Sequence, residues 1–188
     1  MHLEISGRQT GKTRRLAKAV VDFILPSTGN IANVVVTQES DAKIIKNYIK
    51  EILAFSSPSD TPNHFDPQVR FTTPERKNAI IRGYGNVRNF YDDFDFMEFN
   101  WKKDGTFFYT TIENDYYVTT PAKIRDLSKI SIQQAAKDDF LLRLLLENHG
   151  MYVSFVNPNS DPAWTEAMKR NMEVDTFDRE MNGKFLKH

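Results

Sequence analysis

Apolar positions along this chain alternate between short β-branched runs and longer stretches with helical spacing. Met1–Ser6, carrying Leu3 and Ile5, reads as a first strand, and Lys12–Leu25 as a helix ended by Pro26. Ile31–Thr37 (IANVVVT) is nearly continuous in apolar residues, the pattern of a parallel strand covered on both faces. Ser40 can cap a helix to about Phe55, with Ala42, Ile45, Ile49, Ile52 and Leu53 along one side. Ser56–Pro67, rich in Ser, Pro, Asp and Asn, reads as a surface loop. Further strands are predicted at Val69–Thr72, Val87–Tyr91, Thr106–Ile112 and Tyr116–Thr119. Ile132–Glu147 reads as one strongly apolar helix stopped by Gly150, followed by a strand over Tyr152–Val156. A polar remainder, 157–188, offers a helix over Ala163–Met172 and a loose tail. Strands alternating with helices predict an α/β fold with a mainly parallel central sheet.

One junction in this pattern carries chemistry. Between the first strand and the first helix stands Ile5-Ser6-Gly7-Arg8-Gln9-Thr10-Gly11-Lys12-Thr13. A glycine-bearing turn that opens a helix aims backbone N–H groups at one point, where the helix dipole also favours an anion. Lys12 can reach the β/γ-phosphate oxygens and the Thr13 hydroxyl can bind Mg²⁺. Gly7, Gln9, Thr10, Gly11, Lys12, Thr13 and Arg14 are therefore the expected nucleotide-binding residues. The pattern G-x-x-x-x-G-K-[ST] is not met in full, because Ser6 holds the first position and Gly7 follows one place late. With this loop the α/β prediction becomes a single three-layer P-loop NTPase domain of the RecA-like kind, spanning 1–188.

Hydrolysis needs more than a phosphate loop. An acid at the end of a buried strand can hold the Mg²⁺ shell, and a neighbouring acid can polarise the attacking water. In Asn89-Phe90-Tyr91-Asp92-Asp93, Asp92 fits the first role and Asp93 the second.

Composition narrows the field. Lys+Arg and Asp+Glu balance at 25 each, so no global charge draws the protein to nucleic acid, and a DNA contact needs a local patch. The absence of cysteine excludes disulfides and thiol chemistry, and four scattered histidines show no metal-ligand spacing. No stretch approaches the ~18 apolar residues of a membrane span, so a cytoplasmic location is expected. Lys12, Arg14, Arg15 and Lys18 on the first helix, and Lys123, Arg125 and Lys129 further on, are basic clusters whose default is a solvated surface. The aromatic run Phe90, Tyr91, Phe94, Phe96, Phe99 and Trp101 is expected to be core.

These segments together resemble the ATPase domain of tailed-phage terminase large subunits, the DNA-packaging motors. Their loop often reads S-R-Q-x-G-K-T, which Gly7–Thr13 matches apart from Gly7 for Ser. Arg82-Gly83 ahead of Asp92-Asp93 and Phe96 resembles their Walker-B block, and Thr119-Thr120-Pro121 their coupling motif. The likeness covers about Met1–Pro121 and lacks the nuclease domain.

The resemblance implies Mg²⁺ and ATP as cofactors, with Arg8, Lys12 and Asp93 as the catalytic residues. Arg8 would reach the γ-phosphate, Thr13 and Asp92 would hold the metal, and Thr119 and Thr120 would couple hydrolysis to movement. Double-stranded DNA and other packaging or viral subunits would be the partners, oligomerisation being open. Asp93 in place of the family's glutamate is one methylene shorter, which bears on the placement of the water. Two alternatives stand beside the motor: a small P-loop kinase acting on a nucleotide or metabolite, and a nucleotide-binding regulatory protein with little hydrolysis.

Overall fold

A computed structural model describes residues 1–56, 67–74, 86–97, 115–147, 152–153 and 161–187. The predicted strand Thr106–Ile112, Arg82-Gly83, Phe99, Trp101, Gly150 and most of the loop 56–67 lie outside these residues. The fold is three-layer α/β of the RecA-like kind around a six-stranded sheet, with strand order β3-β2-β4-β5-β1-β7. The chain divides into two compact units, Thr13–Tyr117 with Met1, and His2–Lys12 with Val118–His188.

The first unit holds all but the first residue of helix α1 (Lys12–Ile24), then strand β2 (Asn30–Val35), helix α2 (Glu39–Ser56), and strands β3 (Val69–Thr72) and β4 (Asn86–Asp92). It also takes in the start of β5 (Tyr116–Thr119). Leu16, Ala17, Val20, Val21 and Ile24 recur at helical spacing and are at most 3% exposed, which makes α1 amphipathic and seats it. Each such Leu, Val or Ile contributes about 1.5–3 kcal/mol as an upper estimate. Leu25 N–H donates the last helical bond to Val21, and Pro26 ends the helix. β2 pairs in parallel with both β3 and β4, setting Asn33 opposite Arg70 and Asn89, and Val35 opposite Thr72 and Tyr91. A sheet buried this way explains the near-continuous apolar run in β2, where Ala32, Val34 and Val35 are fully covered. On α2 only Ile45 and Ile49 of the predicted face are fully buried.

The second unit holds β1 (His2–Ile5), the loop to Lys12, the end of β5, β6 (Arg125–Asp126), helices α3 (Ile132–Ala135) and α4 (Phe140–Glu147), and β7 (Tyr152–Val153). It closes with helices α5 (Pro162–Asn171) and α6 (Val174–Asn182) and strand β8 (Leu186–Lys187). β7 pairs in parallel with β1, and Ser6 N–H bonds the Thr119 carbonyl at 3.0 Å.

Two expectations fail here. The single helix Ile132–Glu147 is broken after Ala135. Asp139 causes the break: its Oδ1 accepts from Leu142 N–H, capping α4, while its Oδ2 takes the Arg125 Nε–H at 2.8 Å. The loose tail is instead structured. Val174–Asn182 is helical, Gly183 ends it at φ 67°, and β8 pairs in parallel with β6.

Candidate phosphate and metal site

Loop residues 7–12 leave β1 and enter α1 through two left-handed positions, Gln9 (φ 60°) and Gly11 (φ 79°). Glycine takes that conformation without steric cost, whereas glutamine pays for it. Ser6, in place of the first glycine of the pattern, is fully buried. Its hydroxyl donates to Glu4 Oε1 at 3.0 Å and lies 2.9 Å from Thr10 Oγ1, which in turn donates to the Gly7 carbonyl. Ser6 and Thr10 thus brace the loop from inside. Gln9 and Gly11 are exposed and Lys12 is buried at 8% exposure. The first turn of α1 contains no acidic residue of its own, which leaves the positive end of its dipole available to an anion.

Gly7 has a role that the motif does not reveal. A Cβ there would lie 2.0 Å from the Met181 carbonyl oxygen and 3.1 Å from that of Glu180, both on the last turn of α6. Gly183 is equally close, since a Cβ on it would lie 3.0 Å from Gly7 N. The Arg8 N–H donates to the Glu180 carbonyl, so this amide serves α6. Through its side chain Arg8, 60% exposed, pairs with Glu180 Oε2 at 3.2 Å. Glu180 Oε1 holds Arg179 at 2.8 Å, and Arg179 Nη1 donates to the carbonyls of Pro121 and Ala122, each at 3.1 Å. A chain of contacts therefore runs from Arg8 to the segment that follows Thr119 and Thr120. Both threonines are buried, and Thr119 Oγ1 turns back to the Thr120 carbonyl at 2.7 Å.

In the first unit, Thr13 Oγ1 lies 3.3 Å from both carboxylate oxygens of Asp92. Asp92 is buried at the end of β4. Hydroxyl and carboxylate oxygens suit a hard cation, and Mg²⁺ commonly takes one or two protein oxygens with substrate phosphate and water completing its shell. Among the described residues no group of three or more acidic or histidine side chains could form a self-sufficient metal cage. The donor pair fits a nucleotide-bound Mg²⁺.

Asp93 follows in the left-handed region (φ 52°, ψ 43°) at the head of the 3₁₀ turn Phe94–Phe96. Aspartate tolerates this backbone better than most residues. The turn is secured by Phe94, which is buried and meets Tyr117 edge-on at 5.4 Å.

No protein-family model matches the sequence, and no curated protein does. Solved structures do. The ATPase domain of the large terminase of Thermus phage P74-26 superposes with a TM-score of 0.62 at 14% identity, over 98% of this chain and 88% of that one. The large terminase of a second thermophilic bacteriophage gives 0.66 at 12% identity, over 98% of this chain and 48% of that one. The fold is that of a phage large-terminase ATPase domain.

Within this terminase-like fold, the expected site residues fall into groups. Thr13 and Asp92 meet, whereas Arg8 is engaged by Glu180. Arg14, at the start of α1, is exposed and sits 6.0 Å over the Tyr48 ring of α2. Of the basic cluster after Thr-Thr-Pro, Arg125 is buried against Asp139 and is no surface residue. Burial acts to raise the Asp139 carboxyl, but the Arg125 hydrogen bond and charge, with Lys123, bring it below the usual carboxylate range. The aromatic run is core at Phe90, Tyr91 and Phe94, while Phe96 is 46% exposed. Among the described residues no helix is long and apolar enough to cross a membrane. Arg179, Glu180 and the Gly183 turn were not identifiable as site residues from sequence. The one local signal was Asn182-Gly183, a helix stop, which says nothing of what the helix end touches.

Proposed function

We propose that this chain is a Mg-ATP-binding P-loop ATPase of the terminase-motor type, a single domain over 1–188. The observation that carries the reading is the Thr13 hydroxyl facing both oxygens of the strand-end Asp92, directly behind a Gly-Lys-Thr helix entry. In this reading Lys12 and the amides at the start of α1 hold the β- and γ-phosphates. Thr13 and Asp92 hold Mg²⁺, which supplies charge neutralisation between those phosphates when bound. Arg8 leaves Glu180 to meet the γ-phosphate, and Asp93 orients the attacking water. Thr119 and Thr120 couple the cycle to movement. Double-stranded DNA and other packaging subunits, in the cytoplasm of a host cell, are the partners that the likeness suggests.

The test is ATP hydrolysis with Mg²⁺, with and without double-stranded DNA, using Lys12→Ala as control. Turnover that rises with DNA and vanishes in the variant supports the motor. ADP release only with an added acceptor selects a kinase, and tight binding without turnover selects a nucleotide-gated regulator. The left-handed, shortened Asp93 favours the regulator as the second reading.

A further inference from the structure

A polar network crosses three strands in the middle of the first unit. Asn33 on β2 donates to Asn89 Oδ1 on β4 at 3.0 Å. Asn89 donates through its side chain to both oxygens of Asp115, at 3.1 and 3.2 Å, and through its backbone N–H at 3.2 Å. The Tyr117 hydroxyl reaches Asp115 Oδ2 at 3.4 Å, and the Tyr117 ring stacks flat on Tyr91 at 4.5 Å and 5°. Asn33, Asn89, Asp115, Tyr91 and Tyr117 are each at most 1% exposed.

Such a network is a poor way to gain stability. A buried carboxylate and two buried amides cost desolvation that apolar side chains of similar size avoid. The network is also incompletely satisfied, because Asn33 Oδ1 has no partner among the described residues. What it does supply is register. At their buried ends β2 and β4 are covered on both faces, so a slip there exchanges one apolar environment for another. The other cross-strand amide pair, Asn86 Nδ2 donating to Asn30 Oδ1 at 2.9 Å, lies exposed at the start of both strands, where water competes for it. A slip of one residue would carry Asp92 about 3.3 Å along the strand and turn it to the opposite face, away from Thr13. The amide pair Asn33–Asn89 and the Asn89–Asp115 bonds can form only in the observed alignment.

We propose that Asp115, acting through Asn89, is a positioning residue for the metal pair: it fixes the register of β4 so that Asp92 faces Thr13. This rests on the reading of Thr13 and Asp92 as Mg²⁺ ligands, and the test separates the two. Two variants are compared with the wild type: an apolar core (Asn33→Val, Asn89→Val, Asp115→Val, Tyr117→Phe) and a swap (Asn89→Asp with Asp115→Asn) that exchanges the carboxylate and amide.

Urea stability, cross-strand amide NOEs between β2 and β4, and ADP affinity with and without Mg²⁺ are measured on each. The apolar variant should fold at least as stably as wild type, show mixed or shifted β2–β4 NOEs, and lose about tenfold of the Mg²⁺-dependent gain in affinity (~1.4 kcal/mol). The swap should restore both alignment and the Mg²⁺ gain. Native NOEs in the apolar variant would overturn the proposal, as would a loss of stability and Mg²⁺ gain together that the swap leaves uncorrected. If wild type shows no Mg²⁺ gain, the metal reading fails, and the NOEs alone still decide whether the network sets the register.

Discussion

Replacing Gly7 by alanine tests whether α6 is a working part of the phosphate loop. The added methyl would stand 2.0 Å from the Met181 carbonyl oxygen and 2.6 Å from its carbon, where ordinary contact begins at 3.4 Å. Both neighbours are backbone, so no rotamer relieves the clash. Loop and helix end must part by more than an ångström. Overpacking of this kind costs about 1–3 kcal/mol. Parting them also loses the Arg8 N–H bond to Glu180, about 1 kcal/mol net. The Arg8–Glu180 ion pair adds only a fraction of a kcal/mol, about 0–1 before screening, because Arg8 is mostly exposed.

The sum is about 2–5 kcal/mol, a large part of the ~5–15 kcal/mol that holds a domain of ordinary stability. The cheaper route for the protein is to release α6 and β8 while the remainder stays folded. Urea unfolding of Gly7→Ala combined with amide hydrogen exchange separates these routes. Protection should fall first in Val174–Asn182 and Leu186–Lys187. A variant within about 0.5 kcal/mol of wild type, with α6 protection intact, would refute the steric reasoning.

Other substitutions probe separate parts of the molecule. Lys12→Ala should abolish ATP binding measured by calorimetry while leaving the urea midpoint close to wild type; full affinity would remove the phosphate-loop reading. Asp93→Gly relieves a left-handed backbone, so stability should stay within about 1 kcal/mol while turnover disappears. Asp93→Glu tests the same position chemically: faster hydrolysis would support the terminase alignment, and unchanged hydrolysis would separate Asp93 from catalysis. Asp139→Ala should cost about 3–5 kcal/mol in chemical unfolding, because it strands Arg125 with a buried charge and uncaps α4. Since the folded Asp139 carboxyl lies below its ordinary value of 3.8, its contribution is present above that value and fades as pH falls through the lower folded value. Wild type should therefore lose stability below about pH 4, and a conservative Asp139→Asn should flatten that limb of the profile.

The local parts of this structure were legible in the sequence. Gly11-Lys12-Thr13 at a strand-to-helix junction, the apolar run of β2 and the strand-end Asp92 each depend on neighbours a few positions away. The parts that failed depend on distant residues. The helix predicted over Ile132–Glu147 is broken at Asp139, which caps α4 locally and is held there by Arg125, fourteen positions away. Gly7 reads as a phosphate contact because the motif says so, whereas its immediate constraint is the end of a helix near the other end of the chain. The polar segment 173–188 reads as a tail because polar residues carry little period. Its order comes from the Arg179 bonds to Pro121 and Ala122 and from β6, neither of which a local pattern announces.

The pairing of Arg8 with Glu180 has a consequence for ionic strength. An arginine that waits in solution gains a whole ion pair when nucleotide arrives, and added salt weakens that gain. On the proposed function the mostly exposed Arg8 would exchange one carboxylate for one phosphate, and salt would weaken its hold on both partners. The two effects partly cancel, so ATP affinity in this protein should fall more gently with salt than in a Glu180→Gln variant, in which the arginine starts without its carboxylate.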